Sequence, residues 1–194
     1  MKIYLIRHGE TDWNLMGKIQ GREDIPLNDT GRNQALRCAR AFKEKGIRNI
    51  ISSPLIRALE TAKIISDKTV KTDVIIDKDL IERDFGLMSG MTYDRSKYFD
   101  TFDHEDTMEP LEKVGKRFIG CIRRYAERFS GQDIIMVSHG AAINSVIKTL
   151  TKGDKGSGKT RLKNACISIL TYKDREINLS SFNLSPEEFM DIEG

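Results

Sequence analysis

The chain has 194 residues, 39% of them hydrophobic and 31% charged, which suits one globular domain, or one with a modest insertion, long enough for a three-layer core. The formal net charge is only +3 and the lysines and arginines are spread out, so no basic stripe points to nucleic acid. No apolar run is long enough to cross a bilayer, and the N-terminus leads straight into a strand, so neither a membrane span nor a signal peptide is expected. Cys38, Cys121 and Cys166 lie far apart in apolar contexts, as buried thiols of a reducing cytosol would, and none has zinc-site spacing with a histidine.

Ile3, Leu5 and Ile6 form a short apolar run that fits a strand buried on both faces of a parallel sheet. It stops at Arg7-His8-Gly9, a surface turn where Gly9 permits a sharp bend or a close approach to a ligand. Residues 17–30 read as loop. A helix is expected to start near Asp29 or Thr30, either a good cap, with Ala35, Leu36, Ala39 and Phe42 on its apolar face and Gly46 at its end. A second strand, Ile47 to Ile51, precedes Ser52-Ser53-Pro54, read as a serine cap with proline in the first helical turn.

A third strand is expected at Val74–Ile76, then loop from Asp79 to Thr92. From Pro110 a long helix carries Leu111, Val114, Phe118, Cys121, Ile122 and Tyr125 on one face. A fourth strand, Ile134 to Val137, ends at Ser138-His139-Gly140 before a helix bearing Ile143, Val146, Ile147 and Leu150. Cys166 to Tyr172 and Ile177 to Phe182 read as strands turning at Asp174-Arg175, and the acidic end from Glu187 is expected to fray. The alternation predicts an α/β/α sandwich with a mostly parallel sheet.

Parallel strands end on one edge, so polar residues just after each strand meet in space. They are Arg7 and His8 after the first, Ser52-Ser53 and Arg57 after the second, Glu82, Arg83 and Asp84 after the third, and His139 after the fourth. Two arginines and a second imidazole make a cationic pocket for a phosphate dianion. A neutral His8 beside it is a nucleophile, and a carboxylic acid at the rim can protonate a leaving oxygen. Arginines can neutralise the phosphoryl oxygens without a metal or other cofactor. Glu82 and Asp84 are rivals for the acid.

Arg7-His8-Gly9-Glu10-Thr11 with Trp13-Asn14 resembles the signature of the histidine phosphatase superfamily, phosphoglycerate mutase-like branch. The resemblance continues through Gln20-Gly21, Pro26-Leu27, Gly31 and Gln34-Ala35, through Ser52 to Leu55 with Arg57-Ala58 and Thr61-Ala62, through Leu80, Glu82, Phe85-Gly86 and Gly90, and through Val137 to Gly140. It implies that His8 is the phosphorylated nucleophile, that Arg7, Arg57 and His139 complete the phosphate pocket with Asn14, and that Glu82 donates the proton. Gln20, Gly21 and Gly140 match positions that line the ligand site.

The chain departs from the mutases of that branch. Arg83-Asp84-Phe85-Gly86 stands where mutases carry Arg-His-Tyr-Gly, and Arg123-Arg124, the one candidate for their carboxylate-gripping pair, falls late in a helix. Met91 to Gln132 must hold both insertion and helix, so the lid, around 91–110, is short. A short lid admits water, so the expected activity is phosphatase, with mutase as the alternative; a catalytically silent phosphate-binding module is disfavoured by the intact His8, Glu82 and His139. The expected substrate is a small phosphate ester and the expected setting cytoplasmic.

Three features are read as bystanders. Trp13 is a packing anchor, and His104 among Asp103, Glu105 and Asp106 is a solvated loop rather than a metal site. Residues 153–160 match the P-loop pattern letter for letter, but they follow a helical pattern and precede a strand-like one, the reverse of what a P-loop nucleotidase needs.

Overall fold

The computed structural model describes residues 1–92 and 107–193. Most of the expected lid, including His104, lies outside the described residues. A six-stranded sheet runs in the order β3-β2-β4-β1-β5-β6, formed by β1 (Lys2–Arg7), β2 (Asn49–Ser52), β3 (Val74–Ile76), β4 (Ile134–Ser138), β5 (Ile167–Lys173) and β6 (Glu176–Leu184). The first four are mutually parallel, while β5 lies antiparallel to β1 and β6 antiparallel to β5. The β5–β6 hairpin turns on Asp174 (φ 52°) and Arg175 (φ 64°), the left-handed pair that a two-residue turn of this twist requires.

Alternation along β1 separates two cores. Ile3 and Leu5 face α4 (Leu111–Arg128) and α5 (Gly140–Leu150), packing with Val114, Phe118, Ile122, Ile143 and Val146. Tyr4 and Ile6 face α2 (Asp29–Phe42) and α3 (Ile56–Lys68), packing with Cys38, Phe42, Ala58, Ala62 and Ile65. Both faces of the central strands are therefore dry, as their unbroken apolar runs require. All three cysteines are buried free thiols.

Three local expectations are corrected. The serines after β2 do not cap α3; its first N–H, on Ile56, is taken by Asp24 Oδ1 at 2.6 Å, so a loop distant in sequence supplies the cap. The cap of α2 is Asn28, whose side-chain oxygen accepts from Gly31 N at 2.8 Å. The acidic end does not fray but forms α6 (Pro186–Glu193), because the fully buried Phe189 ring packs against Phe42 and Tyr4, centroids 4.8 and 5.6 Å away. A single aromatic anchor outweighs the helix's charge.

Candidate active site

Strand register assembles the site. Arg7 of β1 pairs with Ser138 of β4, so His8 and His139 follow side by side, with His8 N donating to Ser138 O at 3.0 Å and the rings 5.2 Å apart. Ser52 of β2 pairs with Val137, so Ser53 comes next to His139 and its Oγ lies 2.7 Å from Nε2. The short helix α1 (Asp12–Leu15) starts just beyond the first turn, held by a reciprocal cap between Thr11 and Asn14.

His8 is not on the surface, as the turn had suggested, but 2% exposed at the floor of the site. Its Nδ1 lies 2.6 Å from the Gly9 carbonyl. A carbonyl only accepts, so Nδ1 carries the proton and Nε2 keeps its lone pair. Burial, reinforced by the charges of Arg57 and Arg7, holds the ring's pKa well below 6.5, so His8 is neutral at pH 7. Gly9 serves a close backbone approach, though not to a ligand: a side chain there would strike the Gly31 carbonyl at 2.3 Å.

His139 is fully buried and neutral for the same reasons, desolvation first and then Arg57, His8 and Arg7. The Ser53 hydroxyl accepts from Leu55 N at 3.3 Å and has its own proton to offer to His139 Nε2. In that arrangement His139 Nδ1 bears a proton with no acceptor. Arg57 is 1% exposed, its terminal nitrogens donating to the carbonyls of Gly21 and Glu23, and burial pushes its pKa down to about 10, leaving it charged at pH 7. Arg7 donates to the Leu162 carbonyl. Among the described residues Arg7 Nε, Arg57 Nε and His139 Nδ1 are buried with no partner, two of them on arginines whose charges act on the His8 ring and the third on the ring beside it. Buried donors are almost always satisfied, and three of them together are chemically suited to an anion.

The two acid candidates separate clearly. Glu82 is buried, and its carboxylate accepts from Arg83 N (2.8 Å), Ala142 N (2.8 Å) and Ala141 N (3.1 Å), over the N-terminus of α5 beside His139. Asp84 closes a local turn on Gly86 N at 2.8 Å and pairs with Arg22 at 3.4 Å, its side chain 44% exposed. Behind Glu82, Arg117 of α4 donates to the carbonyls of Asp79 and Glu82 and to the carboxylate of the buried Glu109. Neither Arg117 nor Glu109 was marked by the sequence, because apart from each other their partners, the Asp79 and Glu82 carbonyls, Arg22 and Asp84 N, lie far away in the chain.

Other expected residues sit at varying remove. Gly140 stands against Arg7, where a side chain would lie 3.4 Å from Nε. Gly21 offers its carbonyl to Arg57, and Gln20 is held by Thr11 Oγ1 at 3.0 Å. Asn14 Oδ1 accepts from Asn164 Nδ2 at 3.1 Å, and Asn164 also donates to the His8 carbonyl at 3.3 Å. Trp13 packs over Gly90 and under the Lys18 ammonium. Arg124 is committed to Asp77 and Asp79, away from the site. Residues 153–160 follow α5 and lead through a loop to β5, so the P-loop look-alike lacks both its strand and its helix.

Among the described residues no helix is long and apolar enough to cross a membrane, and no three His, Cys, Asp or Glu side chains stand together as a metal site. A profile of the histidine phosphatase superfamily (branch 1) matches residues 3–185. The chain is 36% identical over 184 residues to a Bacillus subtilis (strain 168) protein named uncharacterized phosphatase PhoE, covering 94% of each. It is 40% identical over 158 residues to phosphoglycerate mutase-like protein 4 of Arabidopsis thaliana, covering 75% of this chain and 69% of that one. A solved phosphoserine phosphatase variant from Entamoeba histolytica, in complex with phosphoserine, superposes with a TM-score of 0.82 at 31% identity, covering 96% of this chain and 98% of the other. The strand-end histidines, the arginines beside them and these likenesses agree: the chain belongs to the histidine phosphatase superfamily (branch 1) and is a phosphatase of that family.

Proposed function

We infer that this enzyme is a metal-independent phosphomonoesterase that hydrolyses a small phosphorylated metabolite through a phosphohistidine at His8. The observation that carries the reading is the His8 proton held on Nδ1 by donation to Gly9 O, beside three buried nitrogens without partners among the described residues. Arg7, Arg57 and His139 bind the phosphoryl oxygens, with Asn14, Gln20, Gly21 and Gly140 shaping the pocket. His8 Nε2 attacks phosphorus in line, and the departing alkoxide takes a proton from Glu82. Water then attacks the phosphohistidine, gives its proton to the Glu82 carboxylate, and inorganic phosphate leaves with His8 restored. Charge developing on the phosphoryl oxygens is met by preorganised donors, so a metal has no necessary part.

The likeness to a phosphatase seen with phosphoserine supports a small metabolite as substrate. The reading further takes residues 1–194 as one domain with a short lid around 91–110, and the free, buried thiols support a cytoplasmic setting. The test is a panel of phosphorylated metabolites assayed for phosphate release, with and without EDTA, and with 3-phosphoglycerate isomerisation followed in parallel. Quenched turnover should trap an acid-labile, alkali-stable phosphoryl group on His8. Isomerisation without phosphate release would shift the reading to mutase, and activity lost in EDTA and restored by magnesium would remove the metal-independent mechanism.

A further inference from the structure

A cavity of about 260 Å³ adjoins the phosphate site, lined by Arg7, Asn14, Arg161, Leu162, Lys163 and Asn164. Among the described residues its lining holds three cations and no carboxylate. The inner wall is tied to the nucleophile turn, by Asn164 through the His8 carbonyl and Asn14, and by Arg7 through the Leu162 carbonyl. The outer rim is equally built. The pairing of β5 with β6 is interrupted by register shifts, and beside them Asn183 adopts φ 59°. Its side chain accepts from Lys163 N at 2.7 Å and donates to Arg161 O at 3.3 Å, clamping both basic residues by their backbones.

The charges here are poorly compensated. Among the described residues the Arg161 guanidinium has no hydrogen-bond or ion-pair partner, and its charge presses on the half-buried Arg7. Lys163 meets Glu188 at 3.2 Å, but both side chains are more than half exposed, so the pair is weak and exchangeable. An anion in the cavity would relieve this repulsion, and a guanidinium grips a planar carboxylate in two-pronged fashion. The volume suits an acid of a few carbons better than a nucleoside.

Resting on the phosphatase reading above, we propose that this cavity receives a carboxylate carried by the leaving portion of the substrate, and that Arg161, with Lys163, determines specificity for it. The grip comes from the loop before β5. Mutases of the branch are implied to use an arginine pair on the insertion, whereas here Arg124 is already spent on Asp77 and Asp79.

The decisive comparison uses 3-phosphoglycerate and glycerol 3-phosphate, which differ by a carboxylate against a hydroxymethyl group. Calorimetry on the non-turning-over His8→Ala protein should show the acid bound at least about tenfold tighter, the size of a charge-assisted contact. Adding Arg161→Gln should erase most of that margin, and Arg161→Lys only part of it. Equal affinities in His8→Ala, a margin untouched by Arg161→Gln, or no binding of either compound overturns the proposal. Phosphate release from p-nitrophenyl phosphate by the wild-type enzyme is a separate readout, and its failure counts against the phosphatase reading rather than the subsite.

Discussion

His8 and His139 are neutral at pH 7 because they are buried among cations, and this has a consequence in solution. Unfolded histidine takes up a proton near pH 6.5, while the native rings do so only well below it. Below pH 6.5 the unfolded state therefore binds more protons, and stability falls as pH falls; above 6.5 the two rings contribute no slope. Each contributes up to about 1.4 kcal/mol per pH unit. Denaturant unfolding between pH 7 and 5 should show a slope that His8→Ala reduces by about one proton. An unchanged slope would mean that His8 is already protonated in the native state. With His8 as the proposed nucleophile, the acidic limb of kcat/KM should likewise lie below pH 6.5, since its ring stays unprotonated down to that range in the free enzyme.

Glu82 and Asp84 differ in burial and in partners, and that difference predicts their kinetics. An alkyl phosphate expels a strongly basic oxygen that needs its proton, so Glu82→Gln should slow its hydrolysis by roughly 10²–10⁴-fold. The phenolate of p-nitrophenyl phosphate needs little help, and the first step there should suffer far less. Asp84→Asn keeps a side-chain oxygen for the Gly86 turn and loses only a partly exposed ion pair, so it should show no leaving-group dependence. A leaving-group-dependent loss in Asp84→Asn and none in Glu82→Gln would move the acid to Asp84.

The C-terminal helix α6 is held by one buried ring and several surface charges. Arg37–Glu187 and Lys2–Glu193 are partly or largely exposed, and such pairs contribute at most about 1 kcal/mol each. Phe189, fully buried against Tyr4 and Phe42, dominates. Phe189→Ala should cost about 3–5 kcal/mol of unfolding free energy, while Arg37→Ala costs less than about 1. Equal effects, measured by denaturant unfolding, would mean that charge rather than packing docks the helix.

Seen whole, the molecule gathers its chemistry at one edge of the sheet and leaves the P-loop look-alike as a connector. The loop is pinned to α5 by Ser157 N on Asn144 O and by Asn144 Nδ2 on Thr160 O, with Gly156 buried where a side chain would strike Asn144 O at 2.4 Å. Lys159 is exposed. Lys159→Ala should leave phosphate release within about twofold of wild type, whereas the same lysine in a working P-loop holds the outer phosphates and its loss is severe. ATP binding that depended on Lys159 would contradict this account.

Much of this was readable from residues alone. Apolar runs such as Ile3–Ile6 and Ile134–Val137 can be satisfied only by burial on both faces, which makes the strands parallel and stacks the residues after them, Arg7, His8, Arg57, Glu82 and His139, along one edge. Local composition determines such elements because the hydrophobic pattern acts over a few residues. The rest depended on partners distant in the chain. Asp24 caps α3, Phe189 docks α6, and Arg117 supports Glu82 through backbone carbonyls that any residue type would present. Above all, β5 runs antiparallel, so its beginning, not its end, lies at the active edge and brings Arg161 to Asn164 to His8. Strand direction is decided by hydrogen-bond pairing across the sheet, between residues more than 150 positions apart in the chain, and no local pattern encodes it.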